Sequence, residues 1–245
     1  MPLFVLQKHP HYSRFYRIYL RFQQELRLSL ENDRYLTTLS LRKMSELYET
    51  WSVFQLTHLI LGLLGQAGYR IISGNGFFEV RDDQFHLEVS RDAAIELAKD
   101  DVRVAIRYEP TYPPVNSVSS GLVSAAPYQL KPDMAIESWQ NGQVVSVLIF
   151  DAKYRTMSEG ASQTYREEDI TKMDHYYNTI RWKPQNSRQR PQRVVSSAYI
   201  LYPGNVLEHD GNEPEVGALP LIPQGIPSAR ATSVLSDILK HAYLE

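Results

Sequence analysis

The sequence predicts a mixed α/β domain: a mixed sheet flanked by helices, with an N-terminal helical arm. Three observations carry this reading. Helical periodicity dominates before Gly68, a run of short β-type segments follows as far as Lys153, and a helix, a strand and a helix close the chain. Elements in that order argue for one domain over residues 40–245, preceded by an arm over residues 1–39.

Residues 13–30 carry Phe15, Ile18, Phe22, Leu26 and Leu30 at helical spacing, with arginines between. Ser40 can cap a second helix from Leu41 to about Gly65. Leu47, Trp51, Phe54, His58 and Leu61 line one side of it, and Val53, Leu56, Ile60 and Leu63 the other. A helix apolar on both sides is buried between layers. Tyr69–Ser73 and Phe77–Arg81 flank a turn at Gly74-Asn75-Gly76, and Phe85–Val89 and Val102–Tyr108 read as further strands. Pro110–Leu130, rich in Pro, Ser, Gly and Ala, reads as a long loop. Asp133–Trp139 and Val144–Lys153 form a hairpin about Asn141-Gly142. Its second strand is apolar on both faces, as a central, covered strand is. A helix from about Tyr165 to Ile180, a basic loop over Arg181–Arg193, a strand over Val194–Tyr202, an irregular Gly211–Pro227 and a helix over Ser228–Glu245 complete the order.

Composition narrows the chemistry. Hydrophobic residues make up 43% and charged residues 22% of the 245, the balance of an ordinary globular protein. The longest apolar stretch, around Leu56–Leu64, is short and interrupted, well below the roughly 18 residues that span a bilayer. The N-terminus lacks the features of a signal peptide, which favours a cytoplasmic protein with no membrane role. There is no cysteine, so disulfides, thiolate nucleophiles and sulfur-built zinc sites are excluded. A metal would be held by oxygen or imidazole, which favours Mg²⁺ or Mn²⁺. The formal net charge of -2 leaves nucleic-acid binding open, because acidic ligands can offset a local basic groove.

The informative constellation is Lys131-Pro132-Asp133 followed by Phe150-Asp151-Ala152-Lys153. Asp151 and Lys153 lie two apart on a strand and so leave the same face. Charged groups at the end of a doubly covered strand are costly unless paired or bound to an ion. Asp133 opens the adjacent strand and brings a second carboxylate. Two carboxylates and an ammonium are what metal-assisted phosphodiester hydrolysis uses: the carboxylates hold the ion, and the ammonium stabilises developing charge. A two-residue Asn141-Gly142 loop, however, sets Asp133 opposite Phe150 and turns the two carboxylates to opposite faces. A shared site therefore requires a bulge or an odd-length loop in this hairpin, or an Asp133 lying before the regular pleat. Glu49, on a stripe otherwise apolar, is the candidate third carboxylate, with Glu46 as substitute; the competing reading is a solvated residue favoured by the helix dipole.

The blocks SELYETWSVFQL, LKPDMAIE, VLIFDAKYR, EEDITKMDHYYNTI and AYILYPG, in that order from about Met44 to Gly204, resemble the PD-(D/E)XK nuclease domain of McrC-like proteins. These are the nuclease subunits of modification-dependent restriction systems, partnered with McrB-like AAA+ GTPases. The resemblance implies a restriction-endonuclease-like fold and a DNA endonuclease of anti-phage defence. It implies metal ligation by Glu49, Asp133 and Asp151, a catalytic Lys153, and a helix bearing Asp169, Lys172, Met173 and Tyr176 over the site. In many relatives a glutamine stands in the place of Lys172. Such proteins also carry a large N-terminal domain, whereas this chain begins close to the nuclease domain.

Weaker signals remain. Arg181, Lys183, Arg188, Arg190 and Arg193 share one predicted loop and either contact DNA phosphates or are simply solvated. Tyr154, Arg155 and Lys172 are further candidate DNA contacts. Glu137 shares a strand face with Asp133 and is a weak candidate for a second ion, and His175 could serve the site. The aromatic row Phe15, Tyr16, Tyr19 and Phe22 reads as core or interface rather than a base-stacking platform, and is the first place to look for a homo-oligomer or an AAA+ GTPase or ATPase partner. The rival to an active nuclease is a catalytically inactive nuclease-fold module that binds DNA or assembles with partners.

Overall fold

The computed structural model describes residues 41–74, 79–80, 87–88, 93–155, 157–159, 162–185, 189–205, 207, 216–223, 233–237 and 239. The predicted arm over residues 1–39, with its aromatic row, lies outside them. So does most of the predicted C-terminal helix, of which residues 233–237 are helical.

In chain order the elements are α1 (Leu41–Gln66), β1 (Arg70–Ser73), β2 (Glu79–Val80), β3 (Leu87–Glu88), β4 (Ala94–Lys99), β5 (Val102–Tyr108), β6 (Gly121–Ser124), β7 (Met134–Gln140) and β8 (Gln143–Ala152). They continue with β9 (Met157–Glu159), β10 (Ser162–Thr164), α2 (Glu167–Thr179), β11 (Ile180–Lys183), β12 (Gln192–Arg193), β13 (Val195–Tyr202) and β14 (Val216–Pro220). The main sheet has seven strands in the order β1-β4-β5-β7-β8-β13-β14. β1 to β8 pair antiparallel, whereas β13 runs parallel to both β8 and β14. A parallel return from β8 to β13 needs a crossover, and α2 supplies it.

The pleat divides the core between two layers. On one face Val104, Ile106, Met134, Ile136, Leu148, Phe150, Tyr199 and Leu201 pack with Tyr48, Trp51, Phe54 and Ile60 of α1. On the other, Ala135, Val147, Ile149, Ala198 and Ile200 pack with Met173, Tyr176 and Tyr177 of α2. α1 is buried on both predicted sides, with Trp51, Val53, Phe54, Leu56 and Ile60 all inaccessible. The Tyr48 hydroxyl donates to the Leu221 carbonyl at 2.8 Å and ties α1 to the chain beyond β14.

The β7–β8 hairpin resolves the register problem with a bulge. Asn141 (φ 52°) and Gly142 (φ 77°) make the two-residue turn with both residues left-handed, and Gln140 faces Gln143 across it. Trp139 faces Val144, but Ser138 faces Ser146, so Val145 is the extra residue, and it is 51% exposed. Beyond the bulge the pairing runs on to Met134 opposite Phe150. Asp133 therefore lies level with Asp151, on the same face.

Three predicted features are corrected. Pro110–Leu130 is not a plain loop, because β6 within it pairs with β11, and Tyr112 bridges Leu130. Arg181–Arg193 is likewise not one loop: β11 and β12 occupy its ends and complete a three-stranded sheet in the order β12-β11-β6. Within the Gly211–Pro227 segment, β14 is an edge strand of the main sheet. β4 answers to no predicted strand; its Ala, Glu and Lys favour other structures, and only Ile95 and Leu97 point inward.

Candidate active site

The site forms at one end of the sheet, where β8 exits, β7 begins, α1 arrives from one layer and α2 crosses the other. Asp151 is the penultimate residue of β8 and is fully buried. Lys153 follows the strand; its backbone N–H donates to the Leu201 carbonyl at 2.8 Å, which extends the pairing with β13 and fixes where the side chain emerges. Its Nζ donates to Asp151 Oδ2. From α2, Lys172 Nζ donates to Asp151 Oδ1 at 2.9 Å. Both oxygens of this buried carboxylate are thus held by ammonium groups.

Asp133 Oδ2 accepts the Ala152 N–H at 2.7 Å, which brings the two strand ends together through a side chain. Glu49 Oε1 accepts the Tyr108 hydroxyl at 3.2 Å. α1 packs on the face opposite Asp151, so Glu49 reaches the group around the strand ends. The electrostatics show the convergence. Burial pushes the Asp133 carboxyl well above its usual range, and Asp151 and Glu49 push it further, against Lys153 and the Ala152 N–H. Glu49 is raised by burial, then by Glu109, with Asp151 adding to it and Tyr108 and Lys153 opposing. Tyr176, whose hydroxyl donates to the Lys131 carbonyl at 2.9 Å, is raised by burial and then by Asp151 and Asp133. Three carboxylates repelling one another in a half-dry corner, with a buried strand end beneath, call for more positive charge.

A family model, the PD-(D/E)XK nuclease superfamily, matches residues 46–206, more than half of the chain. The chain belongs to this superfamily. Nothing among curated proteins, and nothing among solved structures, matches it. The seven-stranded mixed sheet between helices is the fold such a nuclease requires, and the match spans Glu49, Asp133, Asp151 and Lys153.

Nucleases of this kind typically use divalent metals, and the donor chemistry here fits one. The converging donors are carboxylate oxygens, suited to a hard ion, and their raised proton affinities are the mark of charge that an ion would neutralise. Glu49, Asp133 and Asp151 are the residues that could hold it. Among the described residues no three acidic, His or Cys side chains already stand in ligand geometry around one point; the Lys153 and Lys172 ammoniums occupy the Asp151 oxygens instead.

The other candidates of the nuclease separate by what they touch. Glu46 is exposed, a turn before Glu49. Glu137 is buried, accepts from Tyr112 at 3.0 Å and Arg107 at 2.9 Å, and is thereby satisfied without an ion. Tyr154 packs its ring on Tyr48, with centroids 5.4 Å apart. Arg155 is paired with Asp169 and Glu168 of α2. Arg181 donates to the carbonyls of Tyr177, Asn178 and Ile180, capping the end of α2. Lys183 Nζ donates to the carbonyls of Val115 and Val118, each at 2.7 Å. Arg190 is exposed, and Arg188 lies outside the described residues. His175 stands beside Tyr128, ring nitrogen to hydroxyl at 3.0 Å. Sequence reasoning missed the role of Tyr108 as a partner of Glu49, since nothing local marks a tyrosine at the end of β5 as a neighbour of α1.

Proposed function

We propose that this protein is a Mg²⁺- or Mn²⁺-dependent DNA endonuclease that acts in the cytoplasm in restriction or anti-phage defence, together with an AAA+ NTPase subunit. The observation that carries the catalytic part is the convergence of Glu49, Asp133 and Asp151 with the Lys153 ammonium at the end of β8. The defence role and the partner are supported by the resemblance of the five sequence blocks to McrC-like nucleases.

The ion, when bound, would supply Lewis acidity toward the phosphate and lower the pKa of water. In the hydrolysis a water oxygen adds to phosphorus, one phosphorus–oxygen ester bond breaks, and the departing alkoxide takes a proton. Lys153 would hold positive charge beside the phosphate as negative charge grows there. Asp133, fixed by the Ala152 N–H, and Asp151, fixed by its strand, would keep the acidic face rigid. Tyr108 would orient Glu49.

The test is cleavage of plasmid DNA by the full chain in Mg²⁺ or Mn²⁺, with and without a candidate AAA+ partner. Asp151→Ala and Lys153→Ala should each abolish cleavage while circular dichroism shows a folded protein. Cleavage persisting in both variants refutes the site. A wild-type protein that binds DNA without cutting it under any of these conditions is the inactive module instead.

A further inference from the structure

Asp151 presents an arrangement that catalysis by Lys153 does not require. Each of its two oxygens is held by a separate ammonium, Lys153 on Oδ2 and Lys172 on Oδ1. The carboxylate itself is inaccessible, so its charge depends on these partners. The two lysines differ in freedom. Lys153 leaves directly from the strand end and is 20% exposed, whereas Lys172 reaches down from α2 and is 41% exposed. Lys172 also lies 5.3 Å from the centre of the Tyr176 ring, a second place for its charge one turn along the same helix. Lys172, a cation by its chemistry, already occupies one oxygen of Asp151, the carboxylate read above as a ligand of the ion.

We propose that Lys172 is an internal counter-cation that competes with the divalent ion for Asp151. It holds the acidic corner together before the ion enters and swings outward along α2 when the ion takes Oδ1. Released, its ammonium lies at the mouth of the site, where an incoming phosphate would meet it. Lys153, with less freedom, stays on Oδ2. The ion's affinity is thus set by an exchange of one cation for another rather than by simple filling of an acidic cluster. A consequence is that Lys172 stabilises the ion-free protein and weakens ion binding.

This inference rests on the metal-site reading given above, and the experiment separates the two. Mn²⁺ binding to the full chain is measured by titration calorimetry, in parallel with thermal melts with and without Mn²⁺. The proteins are wild type, Lys172→Gln, Lys172→Arg, Asp151→Asn and Lys131→Gln. Lys131 is exposed on the segment leading to Asp133, so its variant controls for simple loss of one nearby charge. Lys172→Gln should melt below wild type without the ion and bind Mn²⁺ about tenfold more tightly, a change of roughly 1.4 kcal/mol. Lys172→Arg, which keeps the charge, should stay close to wild type, as should Lys131→Gln, and Asp151→Asn should lose binding. Unchanged or weaker Mn²⁺ binding by Lys172→Gln overturns the competition, as does an equal gain in Lys131→Gln. Failure of wild type and Lys172→Gln alike to show binding that depends on Asp151 overturns the metal site itself.

Discussion

At the scale of single residues, the acidic corner trades stability for a function that needs concentrated negative charge. Asp133 is raised by burial and by two acidic neighbours. Asp133→Asn keeps an acceptor for the Ala152 N–H while removing one of three repelling charges. Without metal, the variant should melt a few degrees above wild type, on the order of 1 kcal/mol for a protein of this size. Differential scanning calorimetry reads this, and the same variant should gain nothing from Mn²⁺. A melt below wild type would mean that the Asp133 charge is already compensated. His58, half-buried on α1, shows the opposite sign. Burial lowers its pKa below the ordinary 6.5, so the folded chain keeps it neutral while the unfolded chain takes up a proton. Its contribution is full above about 6.5 and is lost as pH falls through the folded value. Urea midpoints at pH 7.5 and 5.5 should therefore differ less in His58→Gln than in wild type; an equal difference would remove His58 as a source of the pH dependence.

At the scale of elements, the hairpin is the part of the site most legible in the sequence. The requirement that Asp133 and Asp151 share a face was readable from Asn141-Gly142 and the count of residues, and it demanded an irregularity. Which residue would be extra was not readable, because Val145 has the same β propensity as Val144 and differs from it in facing solvent. Val145→Ser should cost less than about 0.5 kcal/mol, as exposed substitutions do. Deleting Val145 should make the hairpin regular, with Ser138 still opposite Ser146 and Asp133 still level with Asp151, so cleavage should persist. Loss of cleavage in a folded deletion variant would show that the site needs the bulge itself and not only the register it gives. The exit of β8 is held separately by Arg155, whose guanidinium engages the buried Asp169 and the exposed Glu168 on α2. Arg155→Ala should destabilise by roughly 2 kcal/mol, mostly by leaving Asp169 unpaired, with the exposed Glu168 arm adding little. Calorimetric melts of Arg155→Ala and the double variant with Asp169→Asn check this, since the second change should recover part of the loss.

At the scale of the whole molecule, the two-layer plan was legible and much of its surface was not. Apolar runs on both faces of β8 and on both sides of α1 announced a covered sheet and a buried helix, and both are present. The small sheet of β6, β11 and β12 was hidden, because its strands are short, polar or interrupted and find their partners far along the chain. For the same reason Arg181 and Lys183 read as part of a basic loop, either contacting phosphate or solvated, yet in the fold they donate to backbone carbonyls. What sequence patterns carry well is burial; what they carry poorly is which polar atoms meet across layers, as Glu49 and Tyr108 do.

The central claim is that Asp151 anchors a divalent ion that cuts phosphodiester bonds. The most direct measurement is nicking of supercoiled plasmid by the full chain, with its NTPase partner if one is required. The protein is first stripped with EDTA and then replenished with Mn²⁺, with Asp151→Asn run in parallel. Wild type should be silent after chelation and cut again on replenishment, while Asp151→Asn, equally folded, should stay silent throughout. Cleavage that survives chelation, or that Asp151→Asn retains, would contradict the claim.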